Sequence, residues 1–178
     1  LPGHKSGPIF VIPSLIAMVV LVLVHEMAHA FVGKRNGGDN EHRMLWMLGG
    51  LEATNFDDPE ERGELRTALT GIALHLALIP IFVIPLVLLT GTWNAIIFNP
   101  LSPSSSVPTL MLDSSQTTPW WLVVIWSFHV VNLIILICNL IPMAPFDASD
   151  VVRILMSRKH GDLVARHKVA FAGLWVAT

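Results

Sequence analysis

Cysteine and charged residues are scarce in this chain. Of its 178 residues only 13% are charged, and Cys138 is the single cysteine. One thiol excludes both a disulfide framework and a zinc site built from thiolates. The low charge, together with 53% hydrophobic residues, excludes an ordinary soluble domain and predicts an all-α polytopic membrane protein. The lipid bilayer is therefore its first expected partner, and no nucleic-acid partner is predicted.

Three stretches are long and apolar enough to form transmembrane helices, which need about 20 residues each. They are residues 9–32, 69–90 and 120–141. A further apolar run at 169–178 is expected to be part of a fourth span, and because the chain begins with Leu1, we expect outer spans to be missing. The first stretch is too long for a signal peptide and lacks a small-residue cleavage site. We expect 1–178 to form one intramembrane core.

Positive charge is unevenly distributed between these stretches. Cytoplasmic loops near membrane helices are enriched in Lys and Arg. The loop at 93–119 has neither residue, whereas the segments after the first and third stretches contain Lys34, Arg35, Arg43, Arg62, Arg66, Arg153, Arg158, Lys159, Arg166 and Lys168. The sequence therefore predicts a multi-pass protein whose first helix ends at the cytosolic side.

The first stretch contains His25-Glu26-Met27-Ala28-His29, a pattern typical of metal centres. Residues four apart project from the same face of a helix, so His25 and His29 can bind one Zn²⁺ while Glu26 reaches a water molecule beside it. Ionisable residues inside a membrane are costly, which favours a functional role. The alternative is a chance pair of buried histidines.

The next segment, residues 43–56, is mostly apolar but too short to cross a membrane, and it is interrupted by Gly49 and Gly50. We predict a short hairpin that dips towards the membrane. Such a backbone must be covered by protein or water, so the hairpin would line a cavity. An amphipathic interfacial loop is the alternative.

Polar side chains recur in the third stretch, where His129, Asn132 and Asn139 fall within one helical face and are expected to point inwards. Two prolines then break the helix just before Asp147. A broken helix can turn a carboxylate back among the other helices. Since a catalytic zinc needs a third protein ligand beside two imidazoles, Asp147 and Asp150 are candidates. Asp147 could instead be an exposed loop acid or a helix cap.

Together these motifs resemble the site-2 protease family of intramembrane zinc metallopeptidases. The resemblance rests on the His-Glu-Met-Ala-His pattern at 25–29, on Leu-Gly-Gly-Leu at 48–51, and on Asn139, Pro142 and Asp147, which are spaced as in that family's Asn-x-x-Pro and Asp-Gly motif. It covers nearly the whole chain.

The resemblance implies a zinc-dependent endopeptidase that hydrolyses transmembrane protein substrates near the cytosolic side of a prokaryotic cell membrane. The implied zinc ligands are His25, His29 and Asp147. Glu26 would be the general base, and Asn139 would help to hold substrate or the developing oxyanion. The Gly49-Gly50 hairpin would pair with an unwound substrate strand by adding an edge.

The chain departs from the family pattern at two places. Ala148 follows Asp147 where the family usually has Gly, and the second stretch has Gly71-Ile72 and His75 where the family often has Gly-Pro and then Asn. His75 either replaces that Asn as a hydrogen-bonding group or is a satisfied buried histidine. Asp150 suits a helix cap better than a metal ligand.

Two other functions compete with proteolysis. The first is a membrane protein that binds metal or haem through histidines within the spans: His25, His29, His75 and His129. The second is a catalytically silent relative that binds membrane helices without cleaving them. Haem binding would leave Glu26 and the acid after the prolines without a role.

Overall fold

The computed structural model describes residues 7–36, 38–46, 49–56, 61–97 and 119–160. These residues form four α-helices, one antiparallel pair of strands and a short 3₁₀ helix. In chain order the elements are α1 (Gly7–Arg35), β1 (Gly38–Trp46), β2 (Gly49–Phe56), α2 (Glu61–Thr90), the 3₁₀ helix (Trp93–Ile96), α3 (Trp120–Asn139) and α4 (Asp147–His160).

Three of the helices are long and apolar enough to cross a membrane, at Phe10–Arg35, Arg62–Thr90 and Trp120–Asn139. The predicted class of an all-α polytopic membrane protein is confirmed. The second helix begins at Glu61, before the apolar stretch at 69–90, because its first turns are helical although they are charged. The third ends before residue 141, since the nearby Pro142 cannot donate a helical hydrogen bond. The fourth run, at 169–178, lies outside the described residues.

The long helices carry apolar side chains outwards and polar ones inwards. Large exposed hydrophobic residues include Ile12, Phe31, Ile84 and Leu88, while the buried polar residues include His25, Glu26, His29, Thr67, His75, His129, Asn132 and Asn139. Lipid solvates apolar groups and offers no hydrogen bonds, so this distribution suits a bilayer. The inward orientation predicted for the polar residues of α3 is confirmed.

A hairpin occupies the segment between α1 and α2. Strands β1 and β2 are antiparallel, with Trp46 opposite Gly49 at one end and Gly38 opposite Phe56 at the other. The hairpin predicted at 43–56 is therefore present and starts earlier, at Gly38. Its insertion towards the membrane stays a prediction.

The chain divides into two compact units. The first comprises the chain up to Leu21 and Ala77–Ile134. Its core contains Leu86, Ala95, Leu122, Trp126 and Val130. His129 is part of this unit, where its Nε2 lies 3.2 Å from the Ile96 carbonyl oxygen and joins α3 to the 3₁₀ helix. The loop at 93–119 thus contains one helical turn in its described part.

The second unit comprises Val22–Leu76 and Ile135–Thr178. It contains the C-terminal end of α1, the hairpin, the N-terminal half of α2 and all of α4. Every residue predicted for the zinc site or for substrate binding belongs to this unit, whereas His129, a candidate ligand only in the competing metal- or haem-binding interpretation, belongs to the first.

Candidate metal centre

The C-terminal end of α1 presents two imidazoles on one face. His25 and His29 are separated by one helical turn, as the pattern predicts. Both are buried, and their Nε2 atoms lie 3.2 Å apart. The rings meet at an interplanar angle of 67°, so the two nitrogens converge instead of stacking.

Asp147 brings a carboxylate to the same point. The backbone turns between α3 and α4, where the N–H groups of Ile141 and Phe146 donate to the carbonyls of Cys138 and Met143. This turn places Asp147 at the first residue of α4, a position that favours a negative charge. Its Oδ2 lies 3.3 Å from His29 Nε2 and 3.6 Å from His25 Nε2. The structure thus brings together the three predicted ligands.

The spacing of these three atoms fits a tetrahedral metal ion. Zinc bonds of about 2.0–2.2 Å in tetrahedral geometry require ligand atoms about 3.3–3.6 Å apart. The three separations here are 3.2, 3.3 and 3.6 Å. Two imidazoles and one carboxylate are also the kind of donor set found in catalytic zinc sites, which keep the fourth position for water or substrate.

The carboxyl group of Asp147 is held in the form that a cation needs. Burial alone would raise its pKa, but the hydrogen bonds and charges of His25 and His29 together outweigh burial and lower the pKa to about 2. The lowered pKa favours the ionised carboxylate, which is the form that binds a metal ion.

Helix α2 contacts the outer side of both imidazoles. His29 Nδ1 lies 2.8 Å from the carbonyl oxygen of Thr67, and His25 Nδ1 lies 3.1 Å from Nε2 of His75. A carbonyl can only accept, so His29 carries a hydrogen on Nδ1, and a neutral His29 ring would bind a metal through Nε2. His75 is completely buried. The buried contact fits both interpretations of His75, a hydrogen-bonding group in place of the family's Asn and a satisfied buried histidine.

Gly71 lies between these two contacts, on the same face of α2 as Thr67 and His75. A Cβ atom at this position would come closer than 3.0 Å to the His25 ring, to Asp147 Oδ2 and to His29 Nε2. The missing side chain thus leaves open the space where an ion would bind. Sequence reasoning treated Gly71 only as part of a departure from the family pattern. The available signal was a glycine inside an apolar helix, where it costs about 0.5–1 kcal/mol relative to alanine.

Glu26 is buried beside the metal ligands. Its Oε1 lies 3.9 Å from Nε2 of His25, which is longer than a hydrogen bond. The carboxylate is therefore near the ligand atoms without being held by them. From this position it can reach a water molecule in a fourth coordination position.

Asn139 is fully buried and lies at the base of Asp147. Its Oδ1 accepts a hydrogen bond from the Asp147 backbone N–H at 3.3 Å, and its Nδ2 donates to the Ile135 carbonyl at 3.0 Å. The side chain thereby pairs one of the N–H groups that the start of a helix leaves without an intrahelical partner. Asn139 holds the ligand's backbone in place, and direct contact with substrate stays a prediction.

Three other predicted site residues are not part of the cluster of His25, His29 and Asp147. Asp150 is exposed, and its Oδ1 pairs with Arg153 Nε at 3.2 Å. The expectation that Asp150 caps a helix is wrong, because α4 already begins at Asp147. Gly49 and Gly50 begin β2, opposite Trp46 and Leu45. Their pairing with substrate stays a prediction.

The chain matches the model of peptidase family M50 over residues 13–176. It is 30% identical over 170 residues to a Mycobacterium tuberculosis protein named zinc metalloprotease Rip3, covering 92% of this chain and 37% of that protein. It is 26% identical to the zinc metalloprotease MJ0392 of Methanocaldococcus jannaschii over 158 residues, which are 89% of this chain and 38% of the relative. The chain therefore spans under two fifths of the length of these relatives.

A solved structure extends the likeness to three dimensions. The site-2 protease from Methanocaldococcus jannaschii superimposes with a TM-score of 0.62 at 25% sequence identity, covering 91% of this chain and 62% of that one. The family match, the named relatives and the converging His25, His29 and Asp147 side chains agree with one another. The chain belongs to peptidase family M50, the site-2 protease family of zinc metalloproteases.

Proposed function

We propose that this chain is the catalytic core of a zinc-dependent endopeptidase that hydrolyses peptide bonds of transmembrane substrates near the cytosolic side of the membrane. The observation that carries the proposal is the convergence of His25 Nε2, His29 Nε2 and Asp147 Oδ2 within 3.6 Å of one another, on elements that include an apolar spanning helix. These three residues would hold Zn²⁺.

Held by His25, His29 and Asp147, zinc would supply Lewis-acid chemistry, which polarises a substrate carbonyl and lowers the pKa of a water molecule towards 7. Glu26 takes a proton from the attacking water and then donates it to the leaving amine. Glu26 is buried and its Oε1 lies 3.9 Å from His25 Nε2, so the proton would pass directly between the water and Glu26 and not through bulk solvent. Asn139 keeps Asp147 in place through its backbone N–H while this proton moves.

The depth of the site supports cleavage near one membrane surface. His29 lies six residues before Arg35, the end of α1, which corresponds to about 9 Å at 1.5 Å per residue. The basic residues Lys34 and Arg35 close this helix and favour a cytosolic end. Water would enter over this short distance from the cytosolic side.

The proposed location of the protein is a prokaryotic cell membrane.

The two competing functions are weaker. In the described part of the chain the carboxylate of Asp147 lies within 3.6 Å of both ligand nitrogens, which leaves no room for a porphyrin between His25 and His29. A catalytically silent relative would not need an acid beside the ligands, yet Glu26 is present and buried.

Zinc content tests the proposal directly. We expect the detergent-purified protein to contain about one zinc per chain, and His25→Ala and Asp147→Ala to lose most of it, because each removes a ligand. Elemental analysis after gel filtration measures this, with Asp150→Ala as the matched control because Asp150 pairs with Arg153 outside the cluster. A wild-type protein without zinc, or zinc that is indifferent to Asp147, would refute the assignment.

The proposed substrates lead to a second expectation. A transmembrane helix hides its carbonyl groups in internal hydrogen bonds and must unwind before water can attack. We expect substrates with Gly or Asn near the cytosolic end of their helix to be cleaved several-fold faster than versions with Leu, since Gly costs about 1 kcal/mol in a helix. Cleavage of a matched pair of substrates in proteoliposomes measures the difference, and equal rates would contradict it.

A further inference from the structure

The outer contacts of the two imidazoles are not equivalent. His29 donates to a backbone carbonyl, that of Thr67, whereas His25 meets another titratable side chain, that of His75. A side-chain partner depends on the identity of one residue and can be removed by mutation. Of these two contacts, only the one between His25 and His75 depends on which side chain stands at position 75.

The chemistry of a metal ligand determines which ring donates in this contact. If Nε2 of a neutral His25 ring binds the metal, the ring's only hydrogen is on Nδ1. Nδ1 then donates to His75 Nε2 across the 3.1 Å separation. His75 must accordingly accept through Nε2 and carry its own hydrogen on Nδ1. The contact thus fixes both the tautomer and the rotation of the His25 ring.

The position of His75 on α2 supports this role. Thr67, Gly71 and His75 follow one another at four-residue intervals and share one helical face. The first accepts from His29, the second leaves room for the ion, and the third accepts from His25. The centroids of the His25 and His75 rings lie 5.2 Å apart and the ring planes are inclined by 31°. With the two nitrogens 3.1 Å apart, the rings meet nearly edge to edge.

We propose that His75 is a positioning residue that orients His25 for metal binding by accepting a hydrogen bond from its Nδ1–H. This inference rests on the proposed zinc site and adds a residue to it. Partners of this kind raise the basicity of the ligating imidazole and hold its ring in place, and their loss typically costs 10–100-fold in metal affinity.

The test is a zinc affinity series at position 75. Zinc dissociation constants are measured by competition with a chromophoric chelator for the wild type, His75→Leu, His75→Gln and His75→Glu. We expect His75→Leu to bind zinc about 10–100-fold more weakly, because His25 loses its acceptor. His75→Gln places an acceptor oxygen at nearly the same distance from the backbone and should restore most of the affinity. His75→Glu should bind more tightly than His75→Gln, because a carboxylate is the stronger acceptor.

The matched control is His129→Leu, which removes another buried histidine from a spanning helix of the other compact unit. It should leave the zinc affinity unchanged. If His75 only filled space, His75→Glu would not bind zinc more tightly than His75→Gln. The comparison of these two variants therefore tests the hydrogen bond even if His75→Leu fails to fold. The visible spectrum of the Co²⁺-loaded Gln variant should keep the wild-type tetrahedral bands.

The failures of the two proposals are distinguishable. A wild-type protein that binds no zinc would refute the metal site itself. A wild type that binds zinc, with equal affinities for Leu, Gln and Glu at position 75, would refute the role of His75 and leave the metal site standing. Equal weakening by Leu and Gln would also overturn it, because packing rather than hydrogen bonding would then explain the effect.

Discussion

Glu26→Gln is expected to lose proteolysis while keeping its zinc. The substitution preserves size and polarity, but an amide cannot take a proton from water at neutral pH. General bases typically contribute 10²–10⁴-fold, so we expect a fall of about that size in kcat. The zinc content should be that of the wild type, because Glu26 Oε1 lies 3.9 Å from His25 Nε2 and outside the three-atom cluster.

Cleavage of a transmembrane substrate and elemental analysis of the same samples measure both quantities. Glu64→Gln is the matched control, since Glu64 lies on α2 and pairs with Arg153 at 3.9 Å instead of facing the ligands. An exposed or partly exposed ion pair contributes only about 0–1 kcal/mol, so this control should retain activity. Full activity of Glu26→Gln would reject Glu26 as the base, and loss of its zinc would show that Glu26 is a ligand.

Gly71→Ala is expected to weaken zinc binding strongly although it adds only one methyl group. That methyl would come within 3.0 Å of the His25 ring, of Asp147 Oδ2 and of His29 Nε2, and it would occupy the space between them. The three crowded side chains cannot all keep their positions. The loss of zinc affinity should therefore be at least as large as the loss caused by removing a hydrogen-bond partner of a ligating histidine, on the order of 100-fold.

In the metal-free protein the helix propensity of alanine opposes this crowding. Alanine favours a helix by about 1 kcal/mol over glycine, so the metal-free variant need not unfold more easily than the metal-free wild type. Gly63→Ala is the matched control on the same helix, because its Cβ would meet the Asn36 side chain at 3.3 Å, away from the ligands. Zinc titration of both variants decides the matter, and wild-type affinity in Gly71→Ala would show that the ion binds elsewhere.

Some residues of the candidate site can be identified from a short sequence motif, whereas others need the structure. The pair His25 and His29 could be recognised because the geometry of a helix places residues four apart on one face, whatever surrounds it. Glu26 follows from the same short motif. For the third ligand the sequence offered Asp147 and Asp150, and only the start of α4 at Asp147 shows which of them meets the imidazoles.

The spanning helices are likewise properties of the sequence. Long apolar runs form helices in a bilayer because every backbone group must be paired within the segment, so hydropathy alone located α1, α2 and α3. Hydropathy did not locate all of the helix ends, because a charged segment such as residues 61–66 can be helical without being apolar.

Tertiary structure decided how distant segments complete one another. Asp147 meets His29 across a separation of 118 residues, and His75 meets His25 across 50 residues. Neither contact follows from a local period, because each depends on how helices pack. The sequence signals Gly71 only as a costly glycine inside an apolar helix, and its role becomes clear when the three side chains facing it are known. The sequence alone determined the chemistry that is available, and packing determined which side chains converge on one point.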